Sequence, residues 1–159
     1  MAWDWYAVKT LYRVEASGEP DFTDVGFDEQ ITLIEERVVL FKARSFNEAI
    51  RKAEKEAHSY AKNWKLVNVY GQQVTGRYLG SCDAYCLYDP PANGIEVFSA
   101  TELWSENVAD ETLIDRKLGK EEAKTKSRKR YKFFHKELWE RYREEQLRKA
   151  QKQLKPGKA

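Results

Sequence analysis

An α+β domain is the fold class that this sequence predicts: an antiparallel-rich sheet in the order β-β-α-β-β-β, one helix packed on it, and a long basic helix at the C-terminus. Three observations predict it. Residues 3–15 alternate aromatic and β-branched types with a period of two. Residues 45–64 repeat apolar side chains at three- and four-residue spacing behind a helix-start signal. Residues 120–154 contain no Gly or Pro and are closed by Pro156-Gly157.

The first strand places Tyr6, Val8, Thr10, Tyr12 and Val14 on one face and Trp5, Ala7, Lys9 and Leu11 on the other. Residues 16–29 hold Gly18, Pro20, Gly26 and five acids, and read as a polar excursion between strands. Gln30 to Ala43 is the second strand; its near-continuous apolar run Val38-Val39-Leu40-Phe41 suits burial on both faces. Ser45-Phe46-Asn47-Glu48 is a capping box, in which two side chains satisfy backbone N–H groups that the new helix cannot bond. Behind it Phe46, Ala49, Ile50, Ala53, Ala57, Tyr60, Ala61 and Trp64 form one apolar stripe, narrow in the middle where alanines let the helix lie close to a sheet. Leu66 to Tyr70 reads as a short strand and Val74 to Tyr88 as a longer one, whose Gly76 and Gly80 mark a bulge or a close approach of another backbone. Asp89-Pro90-Pro91-Ala92-Asn93-Gly94 is loop chemistry, and Ile95 to Leu103 is expected to return as a strand and complete a hairpin. In the last segment, wheel angles gather Tyr131, Phe134, Leu138 and Tyr142 into an apolar stripe, the face expected to dock.

The chain has 159 residues, 42% hydrophobic and 13% aromatic, which excludes wholesale disorder. It shows neither a signal peptide nor an apolar run of membrane-spanning length, so a cytoplasmic protein without integral membrane association is expected. The net charge of +2 conceals a division. Residues 1–118 carry 13 Lys/Arg against 20 Asp/Glu, a net of −7; residues 119–159 carry 15 against 6, a net of +9. The expected organisation is therefore an α+β domain over 1–118 and a basic helical extension over 119–159. The asymmetry points to an interacting tail, or the two parts simply attract one another, or both faces are solvated.

Cys82 and Cys86 lie four apart on one strand, roughly 13 Å along it, too far for a disulfide. With only His58 and His135 besides, no metal-ligand spacing appears, and no Gly-rich phosphate loop opens a helix. No catalytic, cofactor-binding or metal residue is assigned, and no enzyme activity or cofactor is expected. Two surfaces stand out. Arg128, Lys129, Lys132, Lys136 and Arg143 share one side of the C-terminal wheel, a set able to neutralise nucleic-acid phosphates within residues 124–143. Trp3, Trp5 and Tyr12 exceed what one face of a small sheet buries; they form either a protein interface or the floor on which the C-terminal helix lies.

Four stretches then carry a resemblance: Trp5-Tyr6-Ala7-Val8-Lys9; Phe41-Lys42-Ala43-Arg44-Ser45-Phe46-Asn47-Glu48-Ala49; Arg77-Tyr78-Leu79-Gly80 with Asp83-Ala84-Tyr85; and Gly94-Ile95-Glu96-Val97-Phe98-Ser99. In this order, over about residues 3–103, the chain resembles the bacterial domain-of-unknown-function family 4288. The resemblance implies a small cytosolic α+β domain with no established activity, and it leaves out the basic tail. The leading expectation is a non-enzymatic interaction module that binds a protein partner or itself; the alternative is a nucleic-acid-associated protein using the basic helix.

Overall fold

The computed structural model describes residues 2–119 and 129–153. Its strands are β1 (Asp4–Ser17), β2 (Leu33–Ala43), β3 (Lys65–Val67) and β4 (Gln73–Cys86). Its helices are α1 (Phe46–Asn63), α2 (Asp110–Leu118) and α3 (Lys136–Gln153), with a 3-10 turn over Lys129–Phe133. The strands form one antiparallel sheet in the order β2-β1-β4-β3. An α+β fold with α1 laid on the sheet is therefore what the residues make.

The alternation of β1 sets the two faces. Tyr6, Val8, Thr10, Tyr12 and Val14 are all buried, against α1 and its neighbours. Helix α1 meets them with Ala49, Ala53, Ala57 and Ala61, whose short side chains bring the helix close to the sheet. Its start is capped as the sequence predicts on one side only: the Glu48 N–H donates to Ser45 Oγ at 3.2 Å. The Glu48 carboxylate reaches one residue further back than a capping box requires, accepting from the Arg44 N–H at 3.0 Å.

Both glycine expectations hold, each in a different way. Gly76 is a close approach: a Cβ there would stand 3.0 Å from Trp64 Cβ, and its N–H donates to the Trp64 carbonyl. Gly80 is the bulge, at φ +77°, where the β1–β4 register jumps between Thr10 and Tyr12.

Three elements depart from the sequence reading. Ile95 to Leu103 forms no strand. Pro90 and Pro91 offer no N–H to a ladder. Side chains hold the segment on the face opposite α1 instead: the Tyr85 hydroxyl donates to Glu96 Oε2 at 2.5 Å, and Phe98 lies under Lys9. Helix α2 was not expected. It ends at Gly119, in the left-handed region at φ +60°, whose N–H donates to the Asp115 carbonyl.

The third departure is in the basic extension, which is not one helix through residues 129–153. The 3-10 turn ends at Phe133, and α3 begins only at Lys136. At the break the Lys132 carbonyl, which a continuous helix would offer to the Lys136 N–H, accepts from Asn68 Nδ2 at 2.7 Å. Residues 120–128 lie outside the described residues, and Lys124, Lys126 and Arg128 with them.

The core continues past the end of α1. Phe133 packs with Val14 and Val74 where α1 has run out, while Ile31, Leu33, Trp64 and Leu66 close around them. The C-terminal segment thus completes the cover of the sheet face that α1 begins.

Candidate interaction surfaces

The segment from Lys129 to His135 is a latch built by four neighbouring groups. Asn68 is wholly buried: its Oδ1 accepts from the N–H groups of Tyr70 and Gln72, and its Nδ2 donates to Gln72 Oε1 and the Lys132 carbonyl. A single bridge then pairs Asn68 with His135. The Lys132 side chain, 3% exposed, runs under the polar excursion. Its Nζ donates to the carbonyls of Asp28, Glu29 and Ile31 at 2.8, 3.1 and 3.4 Å and stands 5.8 Å from the Phe27 ring centre. Burial holds the Lys132 ammonium below the usual lysine range. Lys129 Nζ pairs with Asp28 Oδ2 at 2.8 Å, and that bond, with the Gln30 N–H, holds the Asp28 carboxyl below its ordinary value.

These contacts correct part of the basic set read from the sequence. Lys132 is not a surface cation, because its ammonium is enclosed by backbone carbonyls. Lys129 is committed to Asp28. Arg128 lies outside the described residues. Lys136 and Arg143 line a cleft of about 550 Å³ between the excursion, the β3–β4 turn and α3, walled by Phe22, Tyr70, Tyr131 and Trp139. Both signs of charge stand around it, since Asp24 and Glu140 line it too. Tyr70 anchors its floor: its hydroxyl donates to Asp24 Oδ1 at 2.9 Å, and burial followed by that bond pushes the phenol up to about 12.

Beyond the cleft, α3 turns large apolar side chains to solvent. Leu138 is 63% exposed and Tyr142 52%. Of the expected docking stripe Phe134, Leu138 and Tyr142 stay exposed and only Tyr131 is half-buried; Phe133, off that stripe, is the residue that enters the core. Trp139 is held at the base of α3 between Tyr131, with ring centres 4.1 Å apart, and Tyr142, stacked at 5.6 Å.

The aromatic set of β1 is also divided. Tyr12 is wholly buried and is no surface residue: its hydroxyl bonds Thr10 Oγ1 at 2.9 Å and accepts from Arg37 at 3.3 Å, while Arg37 also meets Glu56. Trp3 is exposed under the cations of Arg44 and Lys52, and Trp5 is half-buried near Lys42. Neither lies beneath α3, since the latch docks at the other end of β1. The outer edge of β2 is a further open surface. Among the described residues no strand pairs with it, and Ile34 and Val38 are 47% and 43% exposed along it.

Sequence reasoning missed Asn68, Phe133 and Trp139. Asn68 carried a signal, a carboxamide inside an apolar run directly before Gly71, which suits a turn better than a strand. Cys82 and Cys86 are free and half-buried, and His58 is exposed, edge-on to Tyr78. Among the described residues no group of three His, Cys, Asp or Glu side chains is placed to share a metal ion. No helix there is long and apolar enough to cross a membrane.

Fold and surfaces together define a small α+β sheet domain closed by a latched C-terminal segment. A family model described as "Domain of unknown function (DUF4288)" matches residues 5–99, more than half of the chain, and the chain belongs to that family. No curated protein and no solved structure matches it.

Proposed function

We propose that this chain is a non-enzymatic interaction module that binds protein, with a second copy of itself as the partner its surface fits. One observation carries the reading: the large apolar side chains left in solvent include two runs, Ile34 and Val38 along the β2 edge and Leu138 and Tyr142 one turn apart on α3. Apolar side chains in line along one element favour a partner surface more than scattered ones do. The split of charge supports it from another side. Part of the basic extension is spent within the chain, on Asp28 and on the carbonyls of the excursion, which weakens the case for phosphate binding by that part.

Sedimentation of the full chain from low-micromolar to sub-millimolar concentration tests the reading, beside binding to short duplex DNA and RNA across a salt series. A concentration-dependent oligomer without nucleic-acid binding supports it. A monomer throughout overturns it, and nucleic-acid affinity that falls steeply with salt overturns it in favour of the residues 124–143 alternative.

A further inference from the structure

We infer that two copies of this chain join through β2, whose outer edge pairs antiparallel with itself about a two-fold axis at Val39. The two four-stranded sheets then continue into one another. This rests on the self-association reading and names its contact.

Four observations lead to it. The first is the open edge itself, eleven residues from Leu33 to Ala43 with no strand paired outside it among the described residues. Exposed edges of this length recruit another strand unless they are blunted.

The second is the direction of the backbone groups. The Lys42 carbonyl accepts from Lys52 Nζ at 2.7 Å, so it points away from β1. The opposite residue agrees: Trp5 is the register partner of Lys42, and its carbonyl accepts from the Leu87 N–H on the β4 side. The β1–β2 register runs unbroken from Asp4–Ala43 to Val14–Leu33. Outward groups therefore recur at Leu40, Val38, Glu36 and Ile34.

The third is the side-chain pattern. Ile34, Glu36, Val38, Leu40 and Lys42 face away from α1, because their register partners on β1 are Arg13, Leu11, Lys9, Ala7 and Trp5. A two-fold axis normal to the sheet keeps each face on its own side, so only residues of one parity meet. With the axis at Val39, Val38 stands opposite Leu40 and Glu36 opposite Lys42 of the second copy, each pairing occurring twice. On the face away from α1, apolar then meets apolar and acid meets base. An axis at Val38 sets Ile34 against Lys42 and Glu36 against Leu40, and an axis at Arg37 sets Glu36 against Val38; neither matches in kind. The Val39 register also brings outward backbone groups face to face, for about six inter-chain N–H···O bonds beside the two Lys42 carbonyls that Lys52 already holds.

The fourth is the sign of the charges on the edge. Charged residues usually protect an edge by repelling a second strand. Here Glu36 and Lys42 flank the apolar centre with opposite signs, both exposed, so in this register they select a copy of the same strand.

Sedimentation equilibrium on the full chain decides it, with E36K, K42E, the double swap E36K/K42E and, separately, V38P. The wild type forms a reversible dimer. Each single reversal sets like charges opposite one another twice and weakens the dimer about tenfold or more, while the double swap restores it. V38P removes an outward N–H without breaking the β1 ladder, so it gives a monomer with an unchanged circular dichroism spectrum. A dimer that the reversals and V38P leave intact overturns the β2 contact and keeps the self-association reading. A wild-type monomer at every concentration overturns both.

Discussion

Replacing Lys132 by Met isolates what the buried ammonium does, because Met keeps most of the aliphatic stem and loses the charge. In the wild type Nζ donates to the Asp28 and Glu29 carbonyls at 2.8 and 3.1 Å, with a longer contact to Ile31. A hydrogen bond to a charged group contributes about 1.5–3 kcal/mol net. Two good bonds therefore set a scale of about 3–6 kcal/mol. Against it stands the cost of burying an ammonium, which Met avoids; that cost is visible in the lowered pKa of Lys132. The difference comes to about 2–3 kcal/mol of destabilisation, or a fall in Tm of about 4–12 °C for a chain of this size. Lys132→Ala adds the loss of the buried aliphatic stem, about 1–2 kcal/mol more. Urea denaturation gives the stability, and amide hydrogen exchange over residues 129–139 reports the latch itself. If K132M unfolds within about 0.5 kcal/mol of the wild type and its latch amides exchange no faster, Phe133, the Asn68 bond and the Lys129–Asp28 pair hold the segment and the ammonium is incidental.

Two further outcomes test the same joint. The Asp28 carboxyl is held below its ordinary value of 3.8 by the Lys129 bond first and the Gln30 N–H second, so its contribution is complete above 3.8 and disappears as pH falls through the lower folded value. Protection factors of the latch amides, taken relative to intrinsic exchange at each pH, should fall on acidification below about pH 4, and Asp28→Asn should lack that step. Asn68→Ala leaves the Tyr70 and Gln72 N–H groups and the Lys132 carbonyl without their side-chain partner, at about 1–3 kcal/mol for each buried group; a total loss of about 3 kcal/mol or more by urea denaturation is expected, and a loss under 1 kcal/mol refutes the central role given to that side chain.

The body of the fold was legible because its signals are local and periodic. The β1 alternation assigned Tyr6, Val8, Thr10, Tyr12 and Val14 to one face, and that face is buried. The alanine spacing of α1 assigned the helix stripe in the same way. Ile95 to Leu103 misled because alternation records which side chains find an apolar neighbour, not whether a ladder exists. Phe98 finds Lys9 and Tyr85 across the open sheet face with no strand pairing. The exposure of Trp3 could be anticipated from the excess of aromatics; Tyr12, counted with that excess, is instead buried with the rest of its face, where Arg37 and Tyr60 meet it from β2 and α1.

The latch was illegible for a reason specific to helical wheels. A wheel assumes 100° per residue, and on that assumption Lys132 shares a basic face with Arg128, Lys129 and Lys136. A 3-10 turn advances about 120° per residue, and the chain then breaks at Phe134 and His135 before α3 starts. Each residue past the start of such a turn is misplaced further, and the break erases the phase altogether. The interruption is imposed from 64 residues away, by Asn68 taking the carbonyl that continues a helix. Once that carbonyl is taken, Phe133 and Lys132 turn inward together, one to the apolar end of the sheet and the other to the excursion's carbonyls. The acidic and basic halves of the sequence thus meet partly within one molecule, so net charge on the extension overstates the cationic surface it offers to others. The same geometry that spends Lys132 inside frees Leu138 and Tyr142 outside, because a stripe phased to continue from Tyr131 no longer faces the sheet when α3 restarts. Cation burial and apolar exposure in the extension thus meet at one place, the break between the 3-10 turn and α3.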